Sequence, residues 1–253
     1  MIETDEIYKA LKNLNNNKSP GSDGLSKEFY MTFWNDLKEH LTELYLNIFL
    51  QRQMTPTQRT AIVKLIYKKN DPHDLRNWRP ISLLNIDYKI LSSALANRIK
   101  PLMEKIINED QTCGVPGTSI QNNNDILNYI WNITNDPAGN KKGLSYLCID
   151  QEKAFDRIEP NYIMKVLKTL NFGKGFNTWI EILYKEITSQ VMINGVLTKP
   201  INIQRSVRQG CPISMLLFVI GAEGLAEQIR NNKHIEGYEL PNGQKKETLS
   251  ICR

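Results

Sequence analysis

Apolar residues recur at every third or fourth position along much of this chain, a spacing that predicts helices with one buried face. The longest stretch runs from Phe29 through Phe33 and Leu37 to Ile48, and it predicts a single long helix. Shorter stretches predict further helices within residues 7–14, 87–99, 119–131, 160–170, 176–184 and 212–229. The chain is therefore expected to be rich in amphipathic helices.

Strands are predicted where apolar and β-branched residues follow one another without helical spacing. Residues 60–67 form one such run, and residues 189–203 surround an Asn-Gly dipeptide that favours a hairpin turn. Pro80 forces Arg79 into an extended backbone, so Arg79 is expected to project from a strand. Helices and strands mixed in this way predict an α/β (α+β) fold.

A further apolar run, residues 144–150, ends in an acidic cluster. It predicts a short buried strand that carries the Asp150 carboxylate at its tip, with Phe155 and Asp156 in the turn beyond. Two interpretations of Asp150 remain open at this point. Either it caps the turn that follows the strand, or it binds a metal ion.

Composition limits the size, the chemistry and the compartment. With 253 residues, of which 41% are hydrophobic, the chain can bury a sizeable core. Its four cysteines are widely spaced and form no CxxC pair, which argues against a zinc site and against a disulfide partner. No apolar run is long enough to span a membrane and no targeting signal is visible, so an intracellular protein of the cytoplasm or nucleus is expected.

Charge is distributed unevenly along the chain. Residues 52–105 carry eleven Lys and Arg but only four Asp and Glu. A basic segment of this kind suits a phosphate-rich partner, although a solvated surface with scattered lysines gives the same count. The three histidines are isolated from one another, which leaves little for a histidine-based hydrolase.

Three separated motifs are more specific together than any one of them alone. Residues 78–85 read WRPISLLN, residues 149–156 read IDQEKAFD, and residues 208–214 read RQGCPIS. In this order they closely resemble the reverse transcriptase of non-LTR, LINE-type retrotransposons. Residues 18–25 and 110–117 resemble two further landmarks of that family.

The resemblance implies a right-hand polymerase fold and a division of the chain. It assigns residues 1–56 to a helical N-terminal extension to the fingers, residues 57–110 and 158–206 to the fingers, and residues 111–157 and 207–253 to a partial palm, with no thumb. The implied partners are an RNA template, a DNA primer and deoxynucleoside triphosphates (dNTPs).

The resemblance also gives roles to residues of the acidic motif. Asp150 matches the first catalytic aspartate, a ligand of two Mg²⁺ or Mn²⁺ ions, and Gln151 offers its backbone carbonyl to one of them. Phe155 falls at the position whose bulk checks the sugar and rejects ribonucleotides. Two such ions can activate the primer 3′-hydroxyl and stabilise the pyrophosphate leaving group.

Nucleotide binding is assigned to two other parts of the chain by the same resemblance. Arg79, together with Lys68 or Lys69, is expected to hold the triphosphate, since a guanidinium is a rigid fork of donors suited to phosphate oxygens. Gln209 and Gly210 match the loop that lies against the incoming nucleotide and the template.

The sequence departs from the family most clearly over residues 246–253. The family continues into a Tyr or Phe, Ala, Asp, Asp hairpin whose two aspartates complete the metal site. Here Ser250 and Ile251 stand where the strand leading to that hairpin is expected, and the sequence contains no Ala-Asp-Asp. We therefore expect a truncated chain that holds the ions poorly and does not polymerise DNA by itself. Thr118 and Met215 are smaller departures, at positions where Arg and Pro are usual.

Three classes of function remain open on the sequence. The first is an active RNA-directed DNA polymerase that obtains the other aspartates from further chain. The second is a noncatalytic nucleic-acid-binding relic that keeps the basic fingers, for which salt-sensitive RNA binding is diagnostic. The third is an unstable pseudogene product with an unpaired strand edge, for which a broad unfolding transition is diagnostic.

Overall fold

The structure is a computed structural model that describes residues 1–134, 147–239 and 245–246. Within these ranges it combines helices with a mixed sheet, which confirms the predicted α/β (α+β) class. No described helix has both the length and the apolarity needed to cross a membrane. The helices are α1 (Thr4–Asn13), α2 (Lys27–Thr32), α3 (Trp34–Gln51), α4 (Pro56–Arg59), α5 (Ile86–Ile99), α6 (Met103–Ile106), α7 (Ile120–Thr134), α8 (Ala154–Arg157), α9 (Pro160–Thr169), α10 (Lys174–Tyr184) and α11 (Ser214–Arg230).

The main sheet joins two widely separated segments of the chain. Its strands are β1 (Thr60–Tyr67), β2 (Trp78–Leu83), β3 (Thr188–Ile193), β4 (Val196–Leu197) and β5 (Ile201–Asn202). β1 lies between an antiparallel β2 and a parallel β3, and β4 and β5 both pair antiparallel with β3. A separate pairing joins β6 (Tyr238–Glu239) to β7 (Lys245–Lys246).

The sequence predictions for this sheet are confirmed except in the second arm of the hairpin, which is interrupted at residues 198–200 and forms the two short strands β4 and β5. β1 has the predicted bounds, and Arg79 and Pro80 lie in β2. β2 is at the edge of the sheet, where a proline without an N–H is tolerated. Asn194 and Gly195 turn between β3 and β4 with φ of 49° and 82°, the left-handed conformation that a two-residue hairpin turn requires.

The single long helix predicted from Phe29 to Ile48 is wrong in one respect. It is divided at Phe33, whose φ of −98° and ψ of 24° are not helical, so that α2 ends before this residue and α3 begins after it. Tyr30 from α2 and Tyr45 from α3 are both buried. The apolar spacing continues across a break of one residue, and periodicity therefore could not reveal it.

Helix α5 lies at the centre of the core. The sequence predicted a single apolar face for it, yet Ile90, Ala94 and Ala96 are buried along with Tyr88 and Leu91. Helix α1 packs against α5, and residues of α9, α10 and α11 belong to the same buried cluster. Burial on several sides fixes α5 firmly, and with it the ring of Tyr88 near its N-terminal end.

Asp87, in the first turn of α5, places a carboxyl group inside this core. One of its oxygens accepts a hydrogen bond from Gln58 Nε2 at 2.8 Å, and the other accepts from the Tyr88 backbone N–H at 2.7 Å. Burial raises the pKa of Asp87 above its ordinary value, although the hydrogen bonds from Tyr88 and Gln58 act in the opposite direction.

Asp87→Asn is expected to remove part of the pH dependence of stability. A carboxyl whose pKa is raised on folding binds its proton more tightly in the folded state, so its contribution to stability falls as the pH rises from its ordinary pKa through the raised one. Urea unfolding at about pH 3.5 and about pH 7, on either side of the ordinary Asp pKa, measures this effect. The free energy of unfolding of the variant, minus that of the original chain, should be larger at the higher pH than at the lower pH. An equal difference at both pH values would contradict the raised pKa of Asp87.

The buried strand predicted for residues 144–150 is wrong in the part that the structure describes. Residues 144–146 lie outside the described residues, and residues 147–150 belong to no strand. Leu147 and Ile149 are 78% and 76% exposed. An apolar run becomes a strand only when a neighbouring strand pairs with it, and none of the described strands pairs with these residues. Residues 250–251, where the sequence predicted a further strand, also lie outside the described residues.

Candidate active site

Two motifs that are about fifty residues apart in the sequence meet in the structure. The Val207 backbone N–H donates to the Phe155 carbonyl at 2.9 Å. Next to this bond, Gln209 Nε2 donates to Asp156 Oδ1 at 3.3 Å. The motif of residues 149–156 and that of residues 208–214 therefore form one surface, which the sequence could suggest only through the family resemblance.

The ring of Phe155 is held from behind by α11. It stacks on Phe218, with the ring centroids 4.7 Å apart and the planes 12° from parallel. Phe155 is itself half-buried, so one side of the ring is fixed by packing while part of it faces outward. A ring immobilised in this way can act as a steric check on a bound molecule.

Gly210 lies close to the end of strand β2. A Cβ atom at this position would be 3.0 Å from the Ser82 carbonyl oxygen, and the residue has a φ of +91°. Both features favour glycine, since an L-residue is strained at positive φ and has a side chain to accommodate. The Gln209-Gly210 turn thus lies against the strand that carries Arg79.

The loop of residues 18–24 packs at the same end of β2. A Cβ atom at Gly21 would be 2.0 Å from Asn85 Oδ1, and Ser22 Oγ donates to that same oxygen at 3.2 Å. Asn85 is buried and its Nδ2 reaches the Thr57 carbonyl at 3.5 Å. Asn85 therefore connects the N-terminal loop with the junction between β2 and α5.

Exposed cations lie together on one face of β1 and β2. Arg79 pairs with Ile66 across the two strands, and Lys68 donates its backbone N–H to the Asn77 carbonyl at 2.9 Å, which extends the ladder by one residue. Opposite residues in an antiparallel pair share a face, and side chains alternate along each strand. Lys68 is therefore on the same face as Arg79, as is Lys64, whereas Lys69 lies in the bend that follows β1 and is not part of this ladder.

Asp150 and Gln151 are exposed and precede the short helix α8. Glu152 forms an exposed ion pair with Arg157 at 2.7 Å rather than a shared site with Asp150. Among the described residues there is no group of three His, Cys, Asp or Glu side chains arranged to hold a metal ion.

Arg208 lies in the candidate site, although no role was predicted for it from the sequence. It is 5% exposed, although it adjoins the Gln209-Gly210 turn, and its guanidinium bonds to main-chain carbonyl groups of Gln58 and Arg59. The apolar Val207 beside it and the turn after it gave no local signal of a buried cation. Only the family motif singled out this arginine.

A model of the family described as reverse transcriptase (RNA-dependent DNA polymerase) matches residues 66–240, well over half of the chain. The chain belongs to the reverse transcriptase family. The match includes residues 78–85, 149–156 and 208–214, so the resemblance inferred from these motifs is confirmed. The reverse transcriptase family implies a nucleic-acid template and primer, nucleotide substrates and divalent metal ions.

Relatives of this reverse transcriptase chain occur in several mobile elements. The 149 kDa protein of transposon TX1 from Xenopus laevis is 35% identical over 98% of the chain and 19% of its own length. A Pol polyprotein of the type-1 retrotransposable element R2 from Popillia japonica is 28% identical over 86% of the chain and 29% of its own length. A protein named as a probable RNA-directed DNA polymerase from transposon BS of Drosophila melanogaster is 25% identical over 87% of the chain. The chain thus spans less than a third of the length of these relatives.

Proposed function

We propose that this chain forms the fingers and part of the palm of an RNA-directed DNA polymerase encoded by a non-LTR retrotransposon. The observation that carries the proposal is the contact of Phe155 and Asp156 with residues 207–209, which unites two polymerase motifs on one surface. The names of the relatives from R2 and transposon BS support the same class. Its substrates are an RNA template, a DNA primer and dNTPs.

The proposed division of the chain follows the connectivity of the sheet. We assign residues 57–110 and 158–206 to the fingers, residues 111–157 and 207–253 to the palm, and residues 1–56 to an extension of the fingers. Strands β1 and β2 come from the first fingers segment, and β3, β4 and β5 come from the second. A single sheet built from both segments supports treating them as one unit.

The proposed nucleotide site lies between the cationic face of β1 and β2 and the Gln209-Gly210 turn. Arg79 and Lys68 hold the triphosphate, and the strand register favours Lys68 over Lys69 for this role. Phe155 checks the sugar with its packed ring. Gln209 and Gly210 lie against the base and the template strand.

Asp150, with the backbone carbonyl of Gln151, is the proposed ligand for Mg²⁺ or Mn²⁺. When bound, such ions supply activation of a hydroxyl nucleophile and neutralisation of phosphate charge. The steps proposed for the described residues themselves are binding and orientation. The cations and the turn fix the triphosphate and the base, and Phe155 limits which sugar can enter.

The proposal predicts that dNTP binding depends on Arg79 and Lys68 more than on Lys69. The complete chain is mixed with an RNA template and a dideoxy-terminated DNA primer, and the affinity for the next complementary dNTP is measured from stabilisation of the complex. Binding is the readout because the chain contains no Ala-Asp-Asp sequence. Arg79→Ala and Lys68→Ala should each weaken dNTP binding by about tenfold or more, since a hydrogen bond to a charged group contributes roughly 1.5–3 kcal/mol.

Lys69→Ala is the matched control, because it removes the same charge from the adjacent position. It should weaken dNTP binding by less than about threefold, a value typical of an exposed charge acting at a distance. Equal losses in all three variants would remove the argument from strand register. Equal affinity for matched and mismatched dNTPs would overturn the assignment as a template-directed polymerase.

A further inference from the structure

Residues 208–211 form a tight turn in which Gln209 is half-buried and Gly210 is exposed. The Cys211 backbone N–H donates to the Arg208 carbonyl at 3.1 Å, which closes the turn. Gly210 occupies its third position with a φ of +91°, as a type II turn requires. The turn itself is short, so its orientation depends on how the two residues that close it are held.

The two residues that close the turn, Arg208 and Cys211, both contact the buried ring of Tyr88. The guanidinium carbon of Arg208 lies 5.0 Å from the centroid of the Tyr88 ring, in a cation–π arrangement. The Tyr88 hydroxyl lies 3.3 Å from Cys211 Sγ. Tyr88 belongs to α5, so both ends of the turn contact a helix that is largely buried.

Arg208 also connects the turn by hydrogen bonds to the junction between α4 and β1. Nη1 donates to the Gln58 carbonyl at 3.1 Å, and Nη2 donates to the Arg59 carbonyl. These carbonyls lie at the end of α4, where the helix itself offers them no partner. One planar guanidinium thus satisfies two main-chain acceptors and stacks on a ring at the same time, which a lysine ammonium cannot do.

We propose that Arg208 is a positioning residue, which holds the Gln209-Gly210 turn in the orientation that receives the incoming nucleotide. This inference rests on the proposed function. Arg208 is buried beneath the turn, and its donors are directed to main-chain carbonyls, so it acts through Gln209 and Gly210 and not by contact with the substrate. It ties the nucleotide-binding turn of the palm to the beginning of β1, the strand that leads to Lys68.

The test compares Arg208→Lys with Arg205→Lys in the complete chain. Arg205 is three residues away along the chain, but its side chain is 67% exposed and pairs at the surface with Glu159 at 3.1 Å. Hydrogen exchange of the Cys211 amide, whose N–H closes the turn, reports on the turn, and dNTP affinity is measured with the dideoxy-terminated primer and RNA template. Arg208→Lys should raise exchange at this amide and weaken dNTP binding by about tenfold each, the factor expected from one lost hydrogen bond to a charged group. Primer–template affinity should stay within about twofold, because phosphate contacts elsewhere dominate it.

Arg205→Lys should leave all three quantities unchanged. Arg208→Met is a second variant, and because it leaves two carbonyls unpaired it should raise exchange further. A purely structural role for Arg208 would weaken primer–template and dNTP binding together with the stability of the whole chain, and that result would overturn the inference. Unchanged exchange and dNTP affinity in Arg208→Lys would overturn it as well.

Gln209→Ala separates this inference from the function on which it rests. If Gln209→Ala leaves dNTP affinity unchanged, the assignment of the turn to nucleotide binding fails. If Gln209→Ala weakens dNTP binding but Arg208→Lys does not, the proposed function stands and the positioning role is rejected. We expect both variants to weaken dNTP binding, and only the Arg208 variant to exchange the Cys211 amide faster.

Discussion

Gly210→Ala is expected to weaken dNTP binding by more than about tenfold while the chain remains folded. At a φ of +91° an L-residue costs roughly 1–2 kcal/mol. In addition, the new methyl group would lie 3.0 Å from the Ser82 carbonyl oxygen, and that contact can be relieved only by moving the turn or the end of β2. Because the turn is the proposed contact for the nucleotide, its displacement adds a loss of affinity to the loss of stability. Titration of the terminated primer–template complex with dNTP, alongside urea unfolding, measures the two effects.

Gly195→Ala provides the control for backbone strain. Gly195 has a φ of +82°, and no atom lies within 4 Å of the position that its Cβ would occupy. Gly195→Ala should therefore lower the free energy of unfolding by a similar amount, about 1–2 kcal/mol, with little change in dNTP affinity. If Gly195→Ala weakens dNTP binding as much as Gly210→Ala, strain alone accounts for the effect. Normal dNTP binding by a folded Gly210→Ala chain would rule out close contact at this turn.

The elements that sequence could predict are those fixed by a local rule. The Asn194-Gly195 turn follows from the φ values that only a few residues adopt readily, and the place of Pro80 on an edge strand follows from its missing N–H. The division of the long N-terminal helix at Phe33 has no such rule, since the spacing of apolar residues is the same on both sides.

The predicted strand that ends at Asp150 shows why an apolar run can mislead. Leu147 and Ile149 alternate as a strand would, but both are exposed in the structure. Strand formation depends on pairing with another segment, and the identity of that segment is not written in the run itself. The position of Asp150 at the end of the run was therefore predicted for a reason that the described residues do not support, and its role stays a prediction.

The candidate site was predictable as a set of residues but not as a set of contacts. Motif spacing identified Arg79, Phe155, Gln209 and Gly210 through the family resemblance, and two of these motifs do meet. Nothing in the sequence indicates that Tyr88, one of many apolar positions of α5, contacts both ends of the turn. Similarly, Lys68 and Lys69 are adjacent lysines that the sequence alone does not distinguish, and only the register of β1 against β2 shows which one continues the ladder.

The largest loss of stability is expected for Gly21→Ala. A Cβ at this position would be 2.0 Å from Asn85 Oδ1 and 2.4 Å from the Asn85 backbone nitrogen. The side-chain amide could rotate away, but the backbone nitrogen belongs to the junction between β2 and the buried helix α5, so the loop itself must move. We expect a loss of about 3 kcal/mol, at the upper end of the range for overpacked positions. The midpoint and slope of urea unfolding provide the measurement.

Gly24→Ala, in the same loop, separates the effect of steric contact from the effect of backbone strain. Gly24 has a φ of +71° with no atom within 4 Å of its Cβ position, whereas Gly21 is restricted by contact alone. Gly24→Ala should cost about 1–2 kcal/mol, less than Gly21→Ala. The reverse order would mean that the loop does not rest on Asn85. Because Asn85 follows Ser82 by three residues, and Ser82 supports Gly210, the folded fraction of Gly21→Ala should also bind dNTP more weakly. The N-terminal loop would then contribute to the nucleotide site through the end of β2, without touching the nucleotide.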